Sequence, residues 1–208
     1  MKSLKLSLKS SSDTRWSSKA NAIKSLCLQL SEVKKGLETI ANDLSNPEAV
    51  SNAKSLLLQI NYRFICTLSV WNKILQCIER TNKALQRKDI SIDYATKLIQ
   101  GLCGTIQGLR ETGFEQIFLE AKNLAEIMDI EIGFPETRKR KVKKIEIDEA
   151  PDEGSNMSSE EIFKMQIYNV FDTLLSQLDW RYEQLRTISD DFSFLYGSSL
   201  ESMSSVNL

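Results

Sequence analysis

A repeated apolar spacing constrains the fold of this chain more than any other feature of its sequence. In the first quarter of the chain, apolar residues recur in steps of three and four over three heptads, which places them on one face of an α-helix. These residues are Ile23, Leu26, Leu30, Val33, Leu37, Ile40 and Leu44. The pattern predicts one helix with a single buried seam.

The same period returns along most of the chain. Pro47 suits the first turn of a second helix, which runs towards Ile60. The apolar pattern then continues to Leu85. The region from Pro47 to Leu85 is therefore predicted to be one long helix or two helices stacked end to end. Asp89 and Ser91 are cap candidates for the next helix, and Gly113 interrupts its pattern. The later seams contain Phe64, Leu68, Trp71, Leu75 and Ile78; Ile92, Ala95, Ile99, Leu102, Ile106 and Leu109; Phe114, Ile117, Ala121, Leu124 and Met128; and Phe163, Ile167, Val170, Leu174, Leu178, Leu185 and Ile188.

The predicted fold class is therefore all-α, an antiparallel bundle or array of about five to six helices with one long charged loop. We divide the chain into five segments. An N-terminus over 1–13, which is disordered or the stub of a strand, precedes a helical domain over 14–132. A basic and acidic linker over 133–157 then leads to a final long helix over 158–190, which packs on the same domain, and to a disordered tail over 191–208. Ser158 and Glu161 have the spacing of a capping box, which marks the start of the final helix.

Two further expectations concern packing. Residues in the middle of each seam should lie at the centre of the core, and these are Leu30, Leu37, Phe64, Trp71, Leu102 and Leu174. Gly101, Gly104 and Gly108 lie within one predicted helix although glycine lowers helix propensity. Their presence suggests that a neighbouring element approaches this helix closely.

Composition excludes several classes of function. The 208 residues have a formal net charge of −1, so any binding to nucleic acid or to an anionic membrane must be local. The chain has no histidine, which removes the usual general base and the commonest transition-metal ligand. Most familiar hydrolase mechanisms are therefore excluded. We predict no enzyme activity, no catalytic residue, no metal, no cofactor and no small-molecule substrate, since the chain shows no complete catalytic site.

The cysteines and the N-terminus point to a reducing compartment. Cys27, Cys66, Cys77 and Cys103 all lie in apolar helical pattern without a CxxC pair, so we interpret them as reduced core residues. Residues 1–12 lack the apolar stretch of a signal peptide, and no segment approaches the length of a membrane span. The predicted location is the nucleus, with the cytoplasm as the alternative, and no membrane is expected as a partner.

Two motifs suggest macromolecular contacts. Arg15 and Trp16 place a cation beside an indole just ahead of the first helix, where arginine can bind a phosphate and tryptophan can stack on an unpaired base. The alternative is a tryptophan that anchors the chain entry and an arginine at the surface. The second motif is a basic run of Arg138, Lys139, Arg140, Lys141, Lys143 and Lys144. It fits a nuclear-import signal or a phosphate contact, and the alternative is a solvated loop balanced by the acidic residues that follow.

Carboxylates on the final helix are a weaker candidate for a metal site. Asp172 and Asp179 are seven residues apart and share a face, with Glu183, Asp190 and Asp191 nearby. Trp180, Arg181 and Arg186 lie among them, and no glycine-rich phosphate loop accompanies them. We interpret these carboxylates as ordinary helix-surface charge.

From Asp13-Thr14-Arg15-Trp16 onward the sequence resembles hAT-type transposase-derived proteins, in particular the zinc finger MYM-type protein 1-like group. The matching phrases are DTRWSSKANAIKSL, NAKSLLLQINYRFICTLSVWNKILQCIERTNKALQRKDISI, GFEQIFLEAKNLAEIMDIEIGFPETRKRKVKK and EEIFKMQIYNVFDTLLSQLDWRYEQL. The resemblance implies an RNase H-like core cut by a helical insertion, with three carboxylates that bind two metals. This chain resembles the insertion, so residues 14–132 are expected to be an insertion-type domain.

The parts of the family that carry chemistry have no counterpart here. The family's first two aspartates precede its Thr-Arg-Trp phrase, where residues 1–12 contain no acid, and residues 198–208 do not match the C-terminal dimerisation region that follows its glutamate. The zinc finger is also absent. Two-metal chemistry needs converging carboxylates, so only the DNA contact of the family's Arg-Trp pair carries over, to Arg15 and Trp16.

The leading hypothesis is a non-catalytic fragment or degenerate copy of a hAT-type transposase, a helical module for protein association and weak DNA contact. Its expected partners are DNA, a second copy or another transposase-like chain, and an import receptor. One alternative is a part of an active transposase whose catalytic core lies outside this chain. Another is a helical scaffold unrelated to transposons.

Overall fold

The computed structural model describes residues 16–43, 45–135 and 157–192. Within these ranges the chain forms helices and no strand, which confirms the predicted all-α class. The helices are α1 (Trp16–Ala41), α2 (Pro47–Gln59), α3 (Tyr62–Leu85), α4 (Ile92–Gly108), α5 (Phe114–Ile127) and α6 (Ser159–Asp191), and a π turn (Leu109–Gly113) joins α4 to α5. The predicted strand stub, most of the linker and most of the tail lie outside the described residues.

The region from Pro47 to Leu85 forms two helices. Pro47 opens α2, as predicted, behind the cap Asn46. At the boundary with α3, the side chain of Asn61 accepts a hydrogen bond from the backbone N–H of Phe64 at 3.0 Å. An asparagine in this position satisfies one of the free N–H groups at a helix start, so α3 begins as a new helix.

Two other helix starts follow the predicted capping chemistry. The Ser91 hydroxyl accepts the Tyr94 N–H at 3.2 Å at the start of α4. Ser158 and Glu161 form the predicted reciprocal capping box at the start of α6, with the Ser158 N–H donating to the Glu161 carboxylate at 2.7 Å. The prediction for Asp89 was wrong, because its carboxylate pairs with Arg87 at 3.2 Å and does not cap a helix.

The single buried seam predicted for α1 was only half right. Helical geometry breaks at Gln29, where φ is −128°. Before this kink, Ile23 and Leu26 pack against the main core, and just after it Leu30 is buried in that core. Beyond it, Leu37 is only partly buried and Ile40 is 43% exposed. The helix α2 folds back on α1 but has only one buried residue, Ala53, so this half of the seam is covered less fully than the first.

The glycines in the middle of the chain do not have the roles that the sequence suggested. The helix does not end at Gly113, because the π turn continues α4 directly into α5. Apart from its chain neighbours and its own helical backbone, a Cβ atom added at Gly101, Gly104 or Gly108 would have no described atom within 4 Å, so the expected close approach was wrong.

The chain directions follow from pairs of contacts. Arg110 pairs with Asp172 at 2.6 Å and the Cys103 thiol lies beside the Asp179 carboxylate, so α4 and α6 are antiparallel. Six residues separate α3 from α4, the π turn continues α4 into α5, and α3 packs on both, so α3 and α5 are antiparallel as well. One core joins α1, α3, α4, α5 and α6.

The predicted core positions divide into three groups. Leu30 and Leu102 are buried in the main core. Phe64, Trp71 and Leu174 are partly buried and pack against it, whereas Leu37 does not belong to it. Among the described helices, none combines the length and the hydropathy needed to cross a bilayer.

Candidate functional site

Trp16 is the first residue of α1, and its side chain is 48% exposed. The Lys19 ammonium lies 5.7 Å from the centroid of the indole ring. The first turn of α1 contains no acidic residue. The structure therefore places the Lys19 cation beside the exposed indole. Arg15, the cation of the predicted motif, lies outside the described residues.

All six cations of the predicted basic run, 138–144, also lie outside the described residues. The structure does describe the residues that bound this part of the chain. Phe134 precedes it and Phe163 follows it on α6, and their rings are 4.9 Å apart. Described residues on either side of this part of the chain are therefore in contact.

Phe134 and Phe163 belong to an aromatic cluster that the sequence did not predict. Its members come from the start of α3, the start of α5, the residues after α5 and the first turns of α6, with neighbouring ring centroids 4.6–6.2 Å apart. They are Tyr62, Phe114, Phe118, Phe134, Phe163 and Tyr168. Rings at these separations attract one another beyond the burial of their area. The only sequence signal was the concentration of aromatic residues at three helix starts.

Three cations cover outer faces of this cluster. Arg63 lies 5.3 Å from the Phe163 centroid, Arg110 lies 5.3 Å from the Tyr168 centroid, and Lys164 lies 5.7 Å from the Phe118 centroid. Arginine and lysine at these distances from a ring are attracted by its negative face. The cluster is thus shielded by the chain's own cations.

A shallow open cleft of about 510 Å³ lies where the π turn meets α6. It is lined by Arg110, Glu111, Glu161, Lys164, Met165, Tyr168 and Asn169. Its two cations already have partners: hydrogen bonds to Asp172 raise the pKa of Arg110, and a hydrogen bond to Glu160 raises the pKa of Lys164. The cleft therefore presents paired charges and no unpaired basic group.

The carboxylates of α6 are dispersed along an exposed surface. Asp172 pairs with Arg110, and Arg186 lies within 3.9 Å of both Glu183 and Asp190. Within the described ranges, no three His, Cys, Asp or Glu side chains come together in an arrangement that could hold a metal ion. The structure therefore does not bring the five carboxylates of the sequence prediction into one site.

The four cysteines are free thiols. Cys66 and Cys77 are buried, as predicted for core residues, and Cys27 and Cys103 are partly buried. Burial raises the pKa of Cys27, Cys66 and Cys103 to about 11. Since the thiolate is the reactive form, these three residues are poor nucleophiles near neutral pH.

Comparison of the chain with protein-family models, with curated proteins and with solved structures finds no match. The resemblance to hAT-type transposase-derived proteins stays a prediction.

Proposed function

We propose that this chain is a non-catalytic helical association module, derived from the insertion region of a hAT-type transposase, which enters the nucleus through its basic run. Its expected macromolecular contacts are an import receptor at Arg138–Lys144 and weak DNA contact at Arg15 and Trp16. The alternative is a part of an active transposase whose catalytic core is supplied elsewhere.

One observation supports this proposal above the others. The rings of Phe134 and Phe163, described residues on either side of the basic run, are 4.9 Å apart and pack in the helical core. A receptor can then bind the run without separating α6 from α4. Import receptors read an extended basic peptide at short range, where the acidic residues that follow are screened by salt.

The import function can be tested with a fluorescent fusion too large to diffuse into the nucleus. Replacement of Lys139, Arg140, Lys141 and Lys143 by Ala should move the fusion from the nucleus to the cytoplasm. The matched control replaces four exposed helical cations, Lys35, Lys54, Lys122 and Arg181, by Ala. The control should stay nuclear. A fusion that is never nuclear, or that moves equally with both sets, contradicts the proposal.

The absence of catalysis is tested separately. The purified chain with magnesium or manganese should neither nick nor join DNA, because the described α6 carboxylates do not converge on one site, as two-metal cleavage requires. Asp172→Ala and Asp179→Ala serve as controls. Metal-dependent cleavage that survives purification and disappears in either variant would support the enzyme alternative.

A further inference from the structure

A second group of cations lies at the end of α3. Residues 79–88 carry four cations and one carboxylate in a chain whose net charge is −1. Arg80 and Lys83 are exposed on α3, and Arg87 and Lys88 are exposed just after the helix ends. This concentration of positive charge is local and belongs to the described part of the chain.

The direction of α1 places its first turn at the same end. The Cys27 thiol donates to the Leu68 carbonyl on α3, and the Lys34 ammonium donates to the Met128 carbonyl at 2.6 Å. Met128 ends α5, which lies beside the start of α3 because those helices are antiparallel. Moving from Cys27 to Lys34 therefore leads towards the start of α3, so α1 runs antiparallel to α3.

The helical rise then gives the position of Trp16 along α3. Trp16 lies eleven residues before Cys27, and Glu79 lies eleven residues after Leu68, about 16 Å along each helix. Because the two helices are antiparallel, Trp16 lies at the same height as Glu79. Trp16 also has helical spacing with Ala20 and Cys27, the face of α1 that turns towards α3. Ala20 on this face is buried, yet Trp16 is 48% exposed, so the indole emerges beside the last turns of α3.

We call this surface the α1–α3 end; its residues are Trp16, Lys19, Arg80, Lys83, Arg87 and Lys88. Part of its positive charge is neutralised by ion pairs, since Lys83 pairs with Glu79 at 3.1 Å and Arg87 pairs with Asp89. Arg80 donates to the Gln76 carbonyl and the Cys77 sulfur and has no carboxylate partner among the described residues. Asp93, in the first turn of the following helix α4, pairs with Lys97 at 2.8 Å.

An exposed indole among cations fits single-stranded nucleic acid better than other polyanions. A base can stack on the ring while neighbouring phosphates meet the cations, whereas the paired bases of a duplex present no free face. A membrane would require a broader apolar face than one tryptophan provides. An acidic peptide would use the cations but would gain nothing from the indole face.

We propose that the α1–α3 end binds single-stranded nucleic acid, with a base stacked on Trp16 and phosphates at Arg80, Lys83, Arg87 and Lys88. The proposal extends the DNA contact proposed for Trp16 and rests on it, but it does not depend on the basic run.

The test uses the full chain in which Lys139, Arg140, Lys141 and Lys143 are replaced by Ala, so that the basic run cannot supply the binding. Fluorescence anisotropy measures the affinity for labelled oligothymidylate and oligouridylate of about a dozen nucleotides. Neutralising Arg80, Lys83, Arg87 and Lys88 to Gln should weaken binding at least about tenfold and reduce the salt slope by roughly 0.7 for each phosphate that no longer meets a cation. Trp16→Ala should cost about tenfold, and Trp16→Phe should restore most of that loss.

The control replaces Lys35, Lys54, Lys122 and Arg181 by Gln, which removes the same charge elsewhere, and should change the affinity less than about twofold. Circular dichroism confirms that each variant keeps its helicity. The proposal is overturned if the control weakens binding as much as the α3 set, if a duplex or polyglutamate binds as tightly as the single strand, or if no nucleic acid binds at all. Failure of the import experiment would leave this result unaffected, because the basic run is already neutralised here.

Discussion

Gly101 and Gly104 lie in ordinary helical backbone on the exposed side of α4. Apart from the chain neighbours and the backbone of α4 itself, no described atom would lie within 4 Å of a Cβ at either position. We expect Gly101→Ala and Gly104→Ala each to raise the free energy of unfolding by about 0.5–1 kcal/mol, because alanine loses less backbone entropy on folding. Chemical denaturation measures this. In the contrasting variant Gly113→Ala, the new Cβ would lie 2.9 Å from the Leu109 Cδ2, so displacement of that leucine should cancel much of the gain.

Leucines with the same place in the heptad pattern differ in how far they are covered. Leu30 and Leu102 are 1% and 5% exposed, and Leu37 is partly exposed outside the main core. Truncation of Leu30 or Leu102 to Ala should lower the free energy of unfolding by about 2–5 kcal/mol, and Leu37→Ala by about 1 kcal/mol. Urea titrations compare the three variants. Equal losses would mean that α2 covers Leu37 more fully than the structure describes.

The π turn explains the interruption that the sequence shows at Gly113. Ile92, Ile99 and Ile106 are spaced by seven residues, and so are Phe114, Ala121 and Met128, but Ile106 and Phe114 are spaced by eight. One extra residue rotates the apolar stripe by about 100° on a regular helix, and a π turn absorbs that residue without a break. The change of spacing was a readable signal, but Gly113 at the same place gave the simpler interpretation of a helix end.

Deletion of Thr112 should therefore be tolerated. It returns the spacing between Ile106 and Phe114 to seven residues and permits one regular helix, so we expect a loss of at most about 1 kcal/mol in the free energy of unfolding. Deletion of Gly104 is the matched control, because it shortens a spacing that is already seven. It should rotate Ile99 and Leu102 out of the core and cost more than about 3 kcal/mol. Thermal denaturation monitored by circular dichroism distinguishes the two. Equal losses would contradict the role assigned to the π turn.

Across the whole molecule, features with local causes were predictable and features with tertiary causes were not. The all-α class followed from the heptad spacing, and the starts of α2, α4 and α6 followed from Pro47, Ser91 and Ser158, whose capping chemistry acts within one turn. The aromatic cluster and the position of Trp16 beside α3 depend on which helices pair and in which direction. The apolar spacing within each helix does not specify which helices become neighbours.

The least stable part of the described molecule should be α2. It has one buried residue, Ala53, whereas α3 has nine and lies between α1, α4 and α5. Helices that bury little apolar surface open in sub-global steps, so native-state hydrogen exchange should show smaller opening free energies for α2 than for α3. Ala53→Gly, which lowers helix propensity by about 1 kcal/mol, should accelerate exchange in α2 and leave the amides of α3 unchanged. If α2 and α3 exchange at the same rate in both proteins, then α2 unfolds only with the core and is held by contacts beyond those with α1.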